Sequence, residues 1–134
     1  MRKVLYSFLL ISLCLSAYFL YSTNEWIKLI DIVKTADELK IFNTHTAEQS
    51  QIYATKNTSD IAEFASIIKV RKTVSVKKTA PQQQLEIRLY KHGQEIVKIY
   101  PRSFDRIRAT RCKTTAILKN PDKFNKWLEM HNRP

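Results

Sequence analysis

The first hydrophobic block along the chain is unbroken. Residues 4–21 carry no charge and follow Arg2 and Lys3. They include ten Leu, Ile, Val or Phe: Val4, Leu5, Phe8, Leu9, Leu10, Ile11, Leu13, Leu15, Phe19 and Leu20. Eighteen residues in a helix span about 27 Å, close to the ~30 Å hydrocarbon core of a bilayer. On an insertion scale those ten side chains contribute roughly −3 to −6 kcal/mol. Tyr18, Tyr21 and Trp26 stand where an interfacial aromatic belt falls. The block predicts an uncleaved signal-anchor, a transmembrane helix over 1–22. Two alternatives stay open. Cleavage wants small residues at −3 and −1, and Ser12 with Cys14 or Cys14 with Ser16 are poor pairs. A lipoprotein signal ending at Cys14 wants a small residue before it, and Leu13 is large.

From residue 23 to 134 the pattern becomes short and periodic. Residues 26–33 and 38–43 read as strands, although the first could extend the membrane helix, and 44–58 as a loop with some strand. Ile61, Phe64, Ala65 and Ile68 make one apolar stripe of a helix over 60–71. Ser59 serves as its N-cap, and Lys69, Arg71 and Lys72 lie at its C-terminal end. Val74 and Val76 alternate with Ser75 and Lys77, and 79–84 form a loop. Leu85, Ile87 and Leu89 alternate with Glu86, Arg88 and Tyr90, and Gly93 marks a hairpin. A three-residue turn, Lys91–His92–Gly93, sets Ile87 opposite Val97, Leu85 opposite Ile99 and Glu86 opposite Lys98. A two-residue turn would instead set Ile87 opposite Lys98. Residues 104–111 read as a strand with Ile107 and Ala109 inward, and 114–118 as one more. Asn120-Pro121 starts a last helix with Phe124, Trp127 and Leu128 on one side and His131 in its final turn. The expected fold is α+β: the transmembrane helix, then a small antiparallel sheet with two helices packed on one face.

Charge changes this picture in one respect. The net formal charge is +11, and residues 66–119 hold fourteen Lys or Arg against three acids, Glu86, Glu95 and Asp105. Residues 23–65 are net acidic. With Leu85, Ile87, Val97, Ile99, Ile107 and Ala109 facing the helices, the other sheet face carries Arg88, Tyr90, Lys98, Tyr100, Arg106 and Arg108. Basic side chains interleaved with aromatics suit an anionic partner: foremost a protein with an acidic surface, otherwise lipid headgroups, polysaccharide or nucleic acid. The bland alternative is a solvated face that resists edge pairing. Nucleic acid fits worst, because no helix-turn-helix or RNP-type pattern occurs.

Residues for chemistry are sparse. His45, His92 and His131 are scattered, no H-x-x-x-H or C-x-x-C pair occurs, and a single Gly excludes a phosphate-binding loop. No metal, cofactor or catalytic residue is expected. Cys112 is the one thiol beyond the anchor. Burial is its expected state, although Arg111 and Lys113 beside it would lower its pKa if it were exposed. The three acids of the basic segment are expected to pair with nearby Lys or Arg. Asn57-Thr58-Ser59 matches a glycosylation sequon, with the Ser better used as a cap.

The Lys/Arg excess before the apolar run, set against Lys28 and Lys34 after it, places the N-terminus in the cytoplasm and the domain in the periplasm or outside the cell. In size and shape the layout resembles short exported bacterial proteins, immunity proteins and envelope inhibitors among them, without a shared motif. The expected function is that of a membrane-anchored, non-enzymatic binding module, of which an immunity, exclusion or inhibitor role is one form. The alternative is an accessory subunit of an envelope complex.

Overall fold

The structure, a computed structural model, describes residues 2–44, 50–75 and 85–132, apart from the side chains of residues 18–23. Its first helix, α1, runs without a break over Arg2–Lys34, 33 residues and so about 50 Å long. Residues 26–33 are therefore helical, not a strand. Their β-branched content favours a strand locally, but they extend a helix already nucleated, and adding a residue to one is easy. Trp26, Leu29 and Val33 then fall on one side and are buried at 0–1% exposure.

The remaining elements are β1 (Glu38–Asn43), β2 (Ser50–Thr55), α2 (Thr58–Ile67), β3 (Val70–Val74), β4 (Leu85–Lys91), β5 (Gln94–Ser103), β6 (Arg106–Ala109), β7 (Thr115–Leu118) and α3 (Pro121–His131). The seven strands form one antiparallel sheet in the order β2-β1-β4-β5-β6-β7-β3. Three helices, counting the last third of α1, supply the core opposite one sheet face, where two were expected. Ile61, Phe64, Ala65 and Ile68 meet Phe124, Trp127 and Leu128 over Leu39, Ile41, Ile87, Leu89, Val97, Ile99, Ile107 and Ala109. The rings of Phe64 and Trp127 lie 4.9 Å apart.

Several boundaries differ from the sequence reading. The N-cap of α2 is Asn57, whose Oδ1 accepts from the Ser59 backbone N–H at 2.9 Å and the Ser59 hydroxyl at 2.7 Å. Helix α2 stops at Ile67, and Val70 already pairs with Leu118. Lys69, Arg71 and Lys72 thus lie on or beside an edge strand and not at a helix C-terminus. Expectations for Val76, Lys77 and residues 79–84 lie outside the described residues.

The hairpin register also differs. Lys91 pairs with Gln94 across a two-residue turn, His92-Gly93, with φ of 53° and 77°. Two consecutive positive φ values make the turn type that suits the strand twist. A bulge follows: Tyr90 faces Glu95 and Leu89 faces Val97, leaving Ile96 as the extra residue. That insertion restores the alternation, so Ile87 faces Ile99 and Arg88 faces Lys98. The three-residue turn and the Glu86–Lys98 pairing do not form.

Among the described residues, no helix is long and apolar enough to cross a membrane. The described apolar side chains of α1 from Val4 to Ala17 cover about 21 Å, short of the ~30 Å core. Phe19 and Leu20, which would extend the run, belong to the undescribed side chains.

Candidate functional site: the open sheet face

The sheet face away from the helices is built by the same alternation that builds the core. On β4, β5 and β6, the residues next to buried Ile87, Leu89, Val97, Ile99, Ile107 and Ala109 point to the other side, except Ile96, which the bulge turns against the core. The structure brings the six predicted face residues onto three adjacent strands. Arg88 lies directly opposite Lys98, and Tyr100 opposite Arg108. Arg106 begins β6 and Tyr90 stands at the bulge.

Much of the positive charge here is already matched. Arg88 Nη2 lies 2.7 Å from Glu86 Oε2, and its Nε lies 3.8 Å from Glu95. Lys98 Nζ is 3.9 Å from Glu95, and Arg106 Nε is 3.9 Å from Asp105. The Arg88 guanidinium also sits 4.0 Å above the Phe42 ring, and its side chain is only 15% exposed. Burial opposes the Arg88 charge, but the hydrogen bond to Glu86 and its charge outweigh burial and hold the pKa above the usual guanidinium value. Lys40, on β1, adds a cation that sequence reading left out. Its Nζ lies 3.1 Å from Glu38 and 5.0 Å over the Tyr90 ring. Like charges at Arg88 and Lys98 would repel across the ladder; Glu86 and Glu95 offset that repulsion.

Arg108 is different. Among the described residues it forms no ion pair, and its buried Nε has no hydrogen-bond partner. A buried donor left unmatched costs about 1–3 kcal/mol, so it is a place where an incoming acceptor gains most. A pocket of about 470 Å³ lies beside it, lined among others by Glu86, Tyr100, Arg102, Arg108, Thr110 and Cys112.

Cys112 is buried, and burial first, then the negative charge of Glu25, push its thiol up to about 12. The expected acidifying influence of Arg111 and Lys113 is overridden, because desolvation of the thiolate dominates. At neutral pH the group is a thiol and a poor nucleophile. His92 sits on the hairpin turn, with Nδ1 3.9 Å from Asp37, and His131 packs against Tyr53 and Trp127 at the end of α3. Neither adjoins Cys112, and no group of three or more His, Cys, Asp or Glu able to hold a metal is formed among the described residues.

No protein-family model matches the chain, and comparison with curated proteins and with solved structures finds no match.

Proposed function

We propose that this chain is a membrane-anchored, non-enzymatic binding module with its folded domain on the periplasmic or outer side, presenting the open sheet face to a protein with an acidic surface. The observation that carries the reading is the contrast within α1. Its last third is core. In its first half Val4, Leu5, Phe8, Leu9, Leu10, Ile11, Leu13 and Leu15 are each 54–70% exposed, on all sides of the helix. A helix that is apolar all round must be covered, and nothing among the described residues covers it. Lipid is the cover that matches a run of this length and composition. The continuing sequence through Phe19 and Leu20 brings the run to the expected 4–21.

On the open face, the unmatched Arg108 beside Tyr100 is the natural seat for a partner carboxylate. Guanidinium–carboxylate pairs are short and strong, and an aromatic next to one supplies apolar contact. The anchoring is tested by expressing the full chain and washing the membranes with alkaline carbonate. Retention in the pellet is expected; release into the wash overturns the reading. The face is tested in the same membranes with a photo-crosslinking residue at position 100. A discrete protein adduct that disappears with Arg108→Glu supports it, and an absence of any adduct refutes it.

A further inference from the structure

We infer that the β3 edge of the sheet is a docking surface for anionic phospholipid headgroups, which clamps the domain against the bilayer that α1 enters; this rests on the anchored reading above. The first support is the course of α1 over the sheet. Where α1 enters the core, the Trp26 indole N–H donates to Thr114 Oγ1 at 3.1 Å, and the Lys113 backbone N–H donates to Glu25 at 3.4 Å. Thr114 immediately precedes β7, the strand that pairs with the edge strand β3, and α1 also packs on β3. Where α1 ends, Asp37 bonds to the Tyr90 carbonyl on the far side of the sheet. The helix therefore crosses the strands, and its free apolar half leaves the domain over the β7–β3 side.

The second support is charge. Lys69, Arg71 and Lys72, on or beside β3, and Lys113 and Lys119, flanking β7, are all exposed, whereas Arg111 turns back to donate to the Ile96 carbonyl on β5 at 2.7 Å. Among the described residues none of them has an ion-pair partner, in contrast to Lys40, Arg88, Lys98 and Arg106 on the open face. The sequence contains no acid between Glu63 and Glu86. Cations of this kind do protect an exposed edge strand from pairing. That role explains charges on β3 itself. It does not explain Lys113, which belongs to the loop fastened to α1.

The third support is distance. The apolar run ends at Tyr21, and Glu25 is four residues, or about 6 Å, further along the helix. The headgroup layer is roughly 6–8 Å thick. The loop bonded at Glu25 and Trp26 therefore meets the outer boundary of the headgroups, within one Debye length of about 8 Å. Each cation held there favours an anionic surface by roughly five-fold.

The test uses the full chain with Cys14→Ser, a nitroxide at Ser75→Cys beside the edge, and a control nitroxide at Gln94→Cys on the far hairpin. Buried Cys112 stays unlabelled under native conditions. The protein is reconstituted into vesicles of phosphatidylcholine alone or with about a third phosphatidylglycerol, and flotation is checked first. In the anionic vesicles at low salt, the label at position 75 is expected to lose mobility and access to a water-soluble relaxant by at least three-fold relative to the neutral vesicles. Position 94 is expected to show no change. The difference should vanish in 0.5 M salt and in the Lys69→Glu/Arg71→Glu/Lys72→Glu/Lys113→Glu variant. Equal signals at position 75 in both vesicles, with normal flotation, overturn the headgroup contact and leave the anchor intact. Failure to float with either vesicle overturns the anchor and the contact together. The salt titration on the unreversed chain decides the matter even where the four-fold variant fails to fold.

Discussion

The bond between Trp26 and Thr114 fixes how the long helix meets the sheet, and its removal has a calculable effect. Trp26 is fully buried, Thr114 is 7% exposed, and the two are 88 residues apart in sequence at 3.1 Å. Thr114→Val keeps the shape of the side chain but leaves the indole N–H buried without an acceptor, a loss of about 1–3 kcal/mol. For a domain of about 110 residues this lowers Tm by roughly 4–12 °C. Trp26→Phe removes the donor and part of the ring volume, so it loses packing as well and should cost about 2–4 kcal/mol. The double variant should cost less than the two losses together, by about 1 kcal/mol, because the second change no longer breaks a bond. Thermal unfolding of the full chain in detergent micelles, followed by near-ultraviolet circular dichroism, measures all four corners. A Thr114→Val protein that melts within 1 °C of the parent, or strictly additive losses, would refute the claim that this contact holds α1 to the β7 side.

Three other outcomes follow from the same structure. The Cys112 thiol stays neutral in the folded state up to about 12, whereas an ordinary thiol ionises near 9.0. The unfolded chain therefore holds fewer protons above pH 9, so stability falls as pH rises from there toward 12, by on the order of 1 kcal/mol at pH 10. In a Cys14→Ser background, melting at pH 8 and pH 10 should show this loss, and Cys112→Ala should shrink it. Arg88→Met, which strips Glu86 of its 2.7 Å partner, should destabilise by about 1–3 kcal/mol in urea titrations. Adding Glu86→Leu should recover most of that loss, and no recovery would show that the pair matters less than the packing on Phe42. Leu10→Arg, at a position 65% exposed, should leave the melting temperature in micelles unchanged. It should weaken retention in carbonate-washed membranes, since a charge in the hydrocarbon core disfavours insertion by about 2.5–3.5 kcal/mol.

The core was legible because it obeys simple periods. The stripe Ile61, Phe64, Ala65, Ile68, the alternation of Ile87, Leu89, Val97 and Ile99, and the Asn120-Pro121 start all appear where the pattern places them. So does the pairing of Glu86, Glu95 and Asp105 with nearby cations. The failures have specific causes. In residues 26–33, Trp26, Leu29 and Val33 fit a helix, but an eight-residue run with four β-branched residues fits a strand as well, and only continuity with the preceding helix decides between them. The hairpin was misread because strict alternation rejects a two-residue turn here. A bulge at Ile96 resets the phase, and period alone cannot reveal one. Lys69, Arg71 and Lys72 fitted a helix C-terminus electrostatically, which hid their place on an edge strand. The unmatched Nε of Arg108 depends on three-dimensional neighbours and leaves no trace in spacing.

The orientation of α1 also constrains what kind of partner the open face can meet. The last third of α1 packs over the covered face of the sheet, and the helix runs unbroken from there into the apolar half. On the anchored reading the helix stands along the membrane normal, so the sheet plane stands upright and its open face looks sideways. A partner bound there sits beside the domain, close to the same bilayer, and not above it. Membrane residence then raises the effective concentration of the two proteins for each other, provided the helix stays stiff. Inserting a ten-residue Gly/Ser linker after Thr23 should leave the fold and the affinity in detergent unchanged, while reducing the crosslinked fraction at position 100 in membranes several-fold. An undiminished adduct would show that the rigid helix does not aim the face, and that the partner reaches it from the aqueous side.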